Sequence, residues 1–466
     1  MRKNRKPNII LLTDSYKLSH WKMYPKGCTR VYSYLESRGG EFEDTVFFGL
    51  QYYLQQYLEG VVLEQWMIEE AYQIAAVHFN NPNVFNRAGW QLMLDTYGGK
   101  LPISIRAVAE GTVVPTKNVL MTIEATDDDY YFLTNQLESL LLKVWYPTTV
   151  ATLSRECKKI LMEALIESGD PMGLLFKLHD FGYRGVSSEE SAKIGGAAHL
   201  VNFKGSDTLQ GIIMAMDHYN EPMAGYSVPA GEHSTFTAWG RDGEADSYEN
   251  ALREYPDGIL ACVSDSYDIY YACTKIWGEK LKALVLSRDG VLVIRPDSGD
   301  APVVMVKLLD ILWEKFGGEI NAKGFKVLDP HVRLIWGDGI NRHSLKIILR
   351  AVMDAGYSVD NCAFGMGGAL LQIVNRDTQK FATKCSDVVV NGEHRDVFKD
   401  PIDDHGKASK RGRLELIMDL GGDISTVPQS DVLNGCDDIM LLHEVFRNGE
   451  VLIRHDMKDI CDRASL

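Results

Sequence analysis

Val291-Leu-Val-Ile-Arg-Pro-Asp-Ser-Gly299 is a run of four aliphatic residues that ends in a cation, a proline, a carboxylate and a glycine. So short and so apolar a run suits a strand covered on both faces, as in a parallel sheet. The same grammar recurs on either side of it. Leu174 to Leu178 ends in His179-Asp180, Ile259 to Val263 in Ser264-Asp265-Ser266, Val332 to Trp336 in Gly337-Asp338-Gly339, and Cys362 to Phe364 in Gly365-Met366-Gly367-Gly368. Helix-period stretches separate the runs, so the alternation predicts parallel strands with crossover helices. In a (β/α) barrel the loops after the strands form one face, where active sites are built. Five polar strand ends therefore predict one site. The expected fold class is α/β, with a barrel-like domain over 151–400.

Outside that span the pattern changes. Residues 1–150 mix short strands (Val31 to Leu35, Ile103 to Val108, Val119 to Ala125) with an amphipathic helix through Phe48, Leu50, Tyr53, Leu54, Tyr57 and Leu58, an α+β unit. Ile9 to Leu12 reads as a further strand. A helical stretch over 129–167 leads onward, and Pro147 is expected to kink or divide it. The segment 401–466 carries the basic run Lys407 to Arg413, read as either a solvated surface loop or a mobile loop over an anionic ligand, and then returns to the α+β domain.

At 466 residues the chain is long enough for two such domains. Its 49 Lys and Arg against 64 Asp and Glu give a net charge of −15, which disfavours nucleic acid and anionic membranes as partners. An anionic substrate would need a locally basic site. The eight cysteines form no Cys-x-x-Cys pair and no zinc-like spacing, as expected of reduced thiols in the cytoplasm. No apolar run approaches the ~18 residues that a membrane-spanning helix needs.

Several strand ends hold residues suited to chemistry, each with a plainer reading beside it. Gly365 to Gly368 would let backbone amides approach a phosphate, or simply make a tight turn. Gly337 and Asp338 offer a carboxylate to ribose hydroxyls, or another turn. Arg295 and Asp297 could grip a phosphorylated sugar, or form a buried ion pair. His233, with Asp265 to orient it, is a catalytic candidate or an ordinary exposed histidine. A Ser-His-Asp hydrolase is disfavoured because the elbow Gly-x-Ser-x-Gly is absent. Phe181 and Arg184 could stack on a flat ring and take a phosphate, or be a core aromatic and a surface cation. Asp207 would either cap the helix that begins at Thr208 or accept from a ligand amide.

Taken in order, Thr13-Asp-Ser-Tyr-Lys17, His179-Asp-Phe-Gly-Tyr-Arg-Gly185, Asn202-Phe-Lys-Gly-Ser-Asp-Thr208, Glu232-His-Ser-Thr235, Ser264-Asp-Ser-Tyr-Asp268, Ile294-Arg-Pro-Asp-Ser-Gly299 and Phe398-Lys-Asp-Pro401 span nearly the whole chain. Together they resemble the nicotinamide phosphoribosyltransferase family. The resemblance implies the irregular type II phosphoribosyltransferase architecture, a barrel-like domain joined to an α+β domain. It also implies transfer of a phosphoribosyl group from phosphoribosyl pyrophosphate to nicotinamide, in a head-to-tail homodimer with shared sites.

Residue by residue, the resemblance implies that Arg38, Arg184, Arg295 and Lys399 bind pyrophosphate, with Mg²⁺ carried mainly by the pyrophosphate itself. Asp297 and Asp338, beside Gly337, would hold the ribose. Gly367 and Gly368, with Arg376 and Lys384 from the partner subunit, would cradle the 5′-phosphate. Phe181 and Tyr16 would sandwich the pyridine ring, Asp14 and Tyr16 acting across the interface, and Asp207 would accept from the carboxamide. His233 would be phosphorylated by ATP, oriented by Asp265 and supported by Glu232, with Lys407 reaching phosphates. The loop after Arg38 is shorter than in some members, and Ala382 and Ala261 replace polar residues. Two rival readings remain: a nicotinate phosphoribosyltransferase, and an idle small-molecule sensor on the same fold.

Overall fold

The computed structural model describes residues 6–400, 402, 409–432 and 438–466, and the chain divides into two compact units. Lys407 and Ala408 of the basic run lie outside the described residues. The first unit takes residues 1–152, 218–220 and 375–464, and the second takes 153–217, 221–374 and 465–466.

The second unit is built on six parallel strands, in the order Gly205–Ser206, Leu178–Asp180, Cys362–Met366, Val332–Trp336, Asp289–Arg295, Asp257–Val263. Leu292, Ile294, Leu334 and Phe364 are fully buried between the layers. By register these four share one face of the sheet, and their aliphatic and aromatic character is what burial of that face requires. Crossover helices are delimited locally. Ala301–Phe316 opens with a proline in its first turn and ends at Gly317, at φ +75°, while Arg342–Asp354 opens on an Asn341/Ser344 capping box.

The two outer strands are bridged. At one edge Tyr226 N–H donates to Lys204 O (2.7 Å) and Ser206 N–H to Tyr226 O (3.0 Å); at the other, Gly231 N–H donates to Ala261 O (3.0 Å) and Ala261 N–H to Pro229 O (2.9 Å). The segment 226–231 thus acts as a closing strand for the curled sheet, giving the barrel-like α/β fold expected from sequence.

The first unit holds a seven-stranded antiparallel sheet, in the order Glu393–Asp396, Phe381–Val390, Cys28–Ser37, Val119–Ala125, Ile103–Ala107, His443–Arg447, Glu450–Val451. The change of unit falls at residue 375 rather than 400, because Phe381–Val390 pairs along the length of Cys28–Ser37. Ile9–Leu11 is a 3₁₀ turn and not a strand, since the Asn8 side chain accepts from Ile10 N–H and starts a turn. The run from Leu174 also differs: Asp170 accepts from Met172 N–H, Pro171 opens a 3₁₀ helix over Pro171–Phe176, and the strand begins only at Leu178. Pro147 marks the division expected of the helical stretch, where the 3₁₀ turn Leu142–Val144 separates Glu138–Leu141 from Trp145–Ser168. It sits in the first turn of Trp145–Ser168, where its missing N–H has no partner to lose. Among the described residues no helix is long and apolar enough to cross a membrane.

One buried cation ties the central strands of the second unit together. Lys177 Nζ donates to the carbonyls of Val359 (3.1 Å), Asp360 (3.0 Å) and Cys362 (3.0 Å), just before the strand that carries the predicted ring-binding loop. Burial pulls its ammonium below the usual lysine range, and the three acceptors offset part of that penalty. Lys177→Met keeps the stem but leaves the carbonyls without a donor. Denaturant unfolding should show a loss of about 3 kcal/mol; unchanged stability would mean that the three bonds do not matter.

Candidate active site

The strand ends of the second unit converge on a cavity of 520 Å³, lined in part by Phe181, Arg184, Asp207, Glu232, His233, Arg295 and Asp297. Each of these seven was expected from sequence, on four different loops.

Phe181 follows the strand Leu178–Asp180, and its N–H donates to Met366 O at 3.0 Å. A Cβ on Gly365 would stand 1.9 Å from Phe181 Cε2, and one on Gly337 would stand 3.2 Å away. Those two glycines therefore make the slot for the aromatic ring. The Arg295 guanidinium lies 5.7 Å from the ring centroid, in cation–π range. Gly367 and Gly368 adjoin the same loop, and a Cβ on Gly185 would meet Gly368 Cα at 3.0 Å. The helix expected from Ala369 onward is a single turn, Gly368–Leu371.

Asp207 follows the neighbouring strand. Its N–H donates to Asp180 O at 3.0 Å, and its Oδ1 accepts from the Ser227 hydroxyl. Among the described residues Oδ2 has no hydrogen-bond partner. Asp207 does not cap the following helix, which begins at Leu209: among the described residues its carboxylate accepts from Ser227 and from no N–H of the helix.

The closing segment delivers Ser227 to Asp207 at one edge and His233 to Asp265 at the other. His233 Nε2 lies 2.9 Å from Asp265 Oδ1. The second oxygen of Asp265 accepts from Asp297 N–H (3.0 Å) and Ser298 Oγ (2.5 Å). Partial burial pushes the Asp265 carboxyl upward, but the bonds from Ser298, His233 and Asp297 outweigh it and hold the group below the usual carboxylate range. An ionised Asp265 can only accept, so His233 Nε2 donates to it. In the neutral ring Nδ1 is then left with the free lone pair.

Arg295 and Asp297 form an ion pair at 2.7 Å, both half-buried. The plain and functional readings of this pair coexist, because it also faces the cavity. Glu232 differs from expectation. Its carboxylate accepts from the Ser234 hydroxyl, so its contact is one residue beyond the histidine it was expected to support. Asp338 is exposed beside Gly339, with its carbonyl accepting from Trp336 Nε1 at 2.6 Å. The cavity wall thus sets two guanidiniums, Arg184 and Arg295, against the three carboxylates of Asp207, Glu232 and Asp297.

The other expected residues belong to the first unit. Asp14 accepts from Ser139 Oγ at 2.5 Å, and Tyr16 is exposed with an edge-on contact to His20. Arg38 lies 3.8 Å from Glu36, and Arg376 3.5 Å from Asp377. Lys384 is half-buried in the strand Phe381–Val390, and Lys399 is exposed, its N–H held by Ser409 Oγ at 2.9 Å.

Sequence reasoning missed Tyr183 and Ser234 in the lining, and Ser227 and Ser298 as partners of Asp207 and Asp265. Ser298 sits inside a quoted motif and was within reach. Ser227 had no signal, because only the closing of the sheet brings it to Asp207. Among the described residues no group of three or more His, Cys, Asp or Glu side chains is placed to hold a metal.

Residues 176–450 match the Nicotinate phosphoribosyltransferase (NAPRTase) family, and residues 8–105 match the Nicotinamide phosphoribosyltransferase, N-terminal domain. The chain is 52% identical to a Nicotinamide phosphoribosyltransferase of Xanthomonas campestris, covering 96% of this chain and 95% of that one. It is 31% identical to one of Acinetobacter baylyi, covering 98% and 97%. Among solved structures it is similar to a nicotinate-nucleotide pyrophosphorylase from Pyrococcus furiosus, with TM-score 0.61, 16% identity and coverage of 100% and 96%. Human Nicotinic Acid Phosphoribosyltransferase gives TM-score 0.54, 15% identity and coverage of 97% and 93%. At such identities these two likenesses show the fold.

The ring slot makes a direct test. Gly365→Ala forces a methyl group into Phe181, so the ring must move or the strand must shift, at about 1–3 kcal/mol. Unfolding measurements should show that loss and a crystal structure a displaced ring; an undisturbed Phe181 at full stability would contradict the slot.

Proposed function

The chain belongs to the nicotinamide phosphoribosyltransferase family, and from that premise we propose how its residues transfer a 5-phosphoribosyl group from phosphoribosyl pyrophosphate to nicotinamide. The products are nicotinamide mononucleotide and pyrophosphate, in the salvage of NAD. As the bond from the anomeric carbon to pyrophosphate breaks, the sugar becomes oxocarbenium-like and negative charge grows on the leaving group. The ring nitrogen then forms the new bond to that carbon. Phe181 is the platform for the pyridine ring, Arg184 and Arg295 face the growing charge, and Asp297, steadied by Arg295, fixes the ribose hydroxyls.

The observation that carries the choice of nicotinamide is Asp207. With Oδ1 occupied by Ser227, Oδ2 is left to accept from a carboxamide N–H, whereas the carboxylate of nicotinate would meet it as a like charge. The test is synthesis of mononucleotide from each pyridine, with and without ATP. Asp207→Ser should raise kcat/KM for nicotinate relative to nicotinamide by at least tenfold, since the repulsion removed is worth more than one hydrogen bond. An unchanged ratio would remove Asp207 from the selectivity.

We further assign His233 to ATP-driven coupling. Its free Nδ1 lone pair would attack the γ-phosphorus of ATP, breaking the bond to ADP, and later hydrolysis of the phosphohistidine would drive product formation. Asp265 supports this role by holding Nε2 and balancing the ring's charge. His233→Ala should lose ATP hydrolysis and ATP stimulation while keeping slow ATP-independent synthesis. Equal stimulation of mutant and wild type would refute the assignment. The carboxylates facing the cavity do not group into a metal-binding set, so Mg²⁺ would take its ligands mainly from phosphate oxygens and water. It would supply charge neutralisation for the leaving pyrophosphate.

The active form in this reading is a homodimer. Two guanidiniums against three carboxylates are too little positive charge for a substrate with this many phosphates, which favours cations supplied from elsewhere: Arg38, Arg376, Lys384, Lys399 and Lys407. An apolar row on the helix Leu209–Tyr219 supports a second copy as the source, since Leu209, Ile213 and Met216 recur at helical spacing and stand 69%, 39% and 51% exposed. The seven described cysteines are all unpaired, which suits a cytoplasmic enzyme.

A further inference from the structure

Behind the two groups that would read the pyridine lies a third, which the chemistry above does not use. Asp180 ends the strand Leu178–Asp180 and is 0% exposed. It sits between two strands, opposite Ser206 on one side and Met366 on the other. Its Oδ1 accepts from the Gly182 N–H at 2.7 Å, which fixes the turn carrying Phe181. Its carbonyl accepts from the Asp207 N–H at 3.0 Å, which fixes the start of the neighbouring loop. One residue therefore bonds to both the ring platform and the amide acceptor.

The space around this contact is tight. A Cβ on Gly182 would stand 2.6 Å from Leu371 and 2.9 Å from Asp180 Oδ1, so the close approach of the turn to the Asp180 carboxyl leaves no room for a side chain there. The other oxygen, Oδ2, is buried without a hydrogen-bond partner, as is Thr208 Oγ1. The Thr208 hydroxyl lies near enough to favour the carboxylate charge, though short of hydrogen-bond geometry. Burial, with the Asp207 charge adding to it, pushes the Asp180 carboxyl up to about 6. A costly, half-satisfied carboxyl in such a place needs a reason. Plain sheet stability gives none, because an apolar residue would fill the position without that penalty.

We propose that the Asp180 side chain is a positioning group that clamps the turn carrying Phe181 to the strand end that also holds Asp207, and thereby sets nicotinamide affinity. This rests on the reading that Phe181 and Asp207 hold the pyridine and its carboxamide. Asp180 touches neither substrate nor reacting atoms; its side chain acts through the Gly182 amide.

Two variants separate the clamp from the charge and from the fold. Asp180→Asn keeps an acceptor for Gly182, and Asp180→Ala removes it. Asp180→Ala should raise KM for nicotinamide about tenfold with little change in kcat, while Asp180→Asn returns KM to within about threefold of wild type. Hydrogen exchange on the ligand-free proteins reads the clamp without any turnover. Peptides covering 178–186 should exchange faster in Asp180→Ala and at the wild-type rate in Asp180→Asn. The clamp is overturned if Ala and Asn behave alike in exchange, or if Asp180→Ala leaves exchange and KM unchanged. If instead exchange follows the predicted pattern but wild type makes no mononucleotide, the clamp stands and the assigned reaction falls.

Discussion

The segment from Tyr226 to Gly231 makes main-chain hydrogen bonds with both edges of the parallel sheet, and the geometry of the cavity depends on that double attachment. A parallel sheet aims all its strand-end loops to one side, but aim alone leaves the outermost loops apart. The closing segment joins them. Its first residues bring Ser227 to Asp207, and the turn after it brings His233 to Asp265. The residue that would read the carboxamide and the residue that would carry phosphate are thus positioned by one short stretch of chain.

Asp265 performs a comparable task on a smaller scale. Its two oxygens collect donors from the loop of His233 and from the loop of Asp297 and Ser298, so three strand ends share one ionised carboxylate. The ready ionisation of Asp265 follows from those bonds and in turn fixes the tautomer of His233. Nearby, Gly337 and Gly365 leave room for Phe181. Rigid support behind a reacting group is what allows a positioned charge to act without first reorganising.

The sequence made the parallel sheet legible because each buried run ended abruptly in a polar residue or glycine, as Ile294-Arg295 and Trp336-Gly337 do. The lining was legible for the same reason: Phe181, Asp207, Arg295 and Asp297 all lie just past such ends. Contacts made through the tertiary fold were not. Nothing in Tyr226-Ser-Val-Pro-Ala-Gly231 marks a strand, since its pairing partners lie on two distant elements. Local chemistry overrode periodicity at Pro171 and Asn8, where a cap or a fixed φ starts a 3₁₀ turn inside an apolar run. Glycine carried two meanings as well: Gly365 clears space for a ring, a role that spacing alone could not tell from an approach to phosphate.

The central claim is that the pyridine is held between Phe181 and the acceptor Asp207. A crystal structure of the chain with nicotinamide mononucleotide bound tests it most directly. The account predicts the ring stacked on Phe181, with the carboxamide nitrogen within hydrogen-bond distance of Asp207 Oδ2. A ring lying elsewhere, or a carboxamide turned away from Asp207, would contradict it.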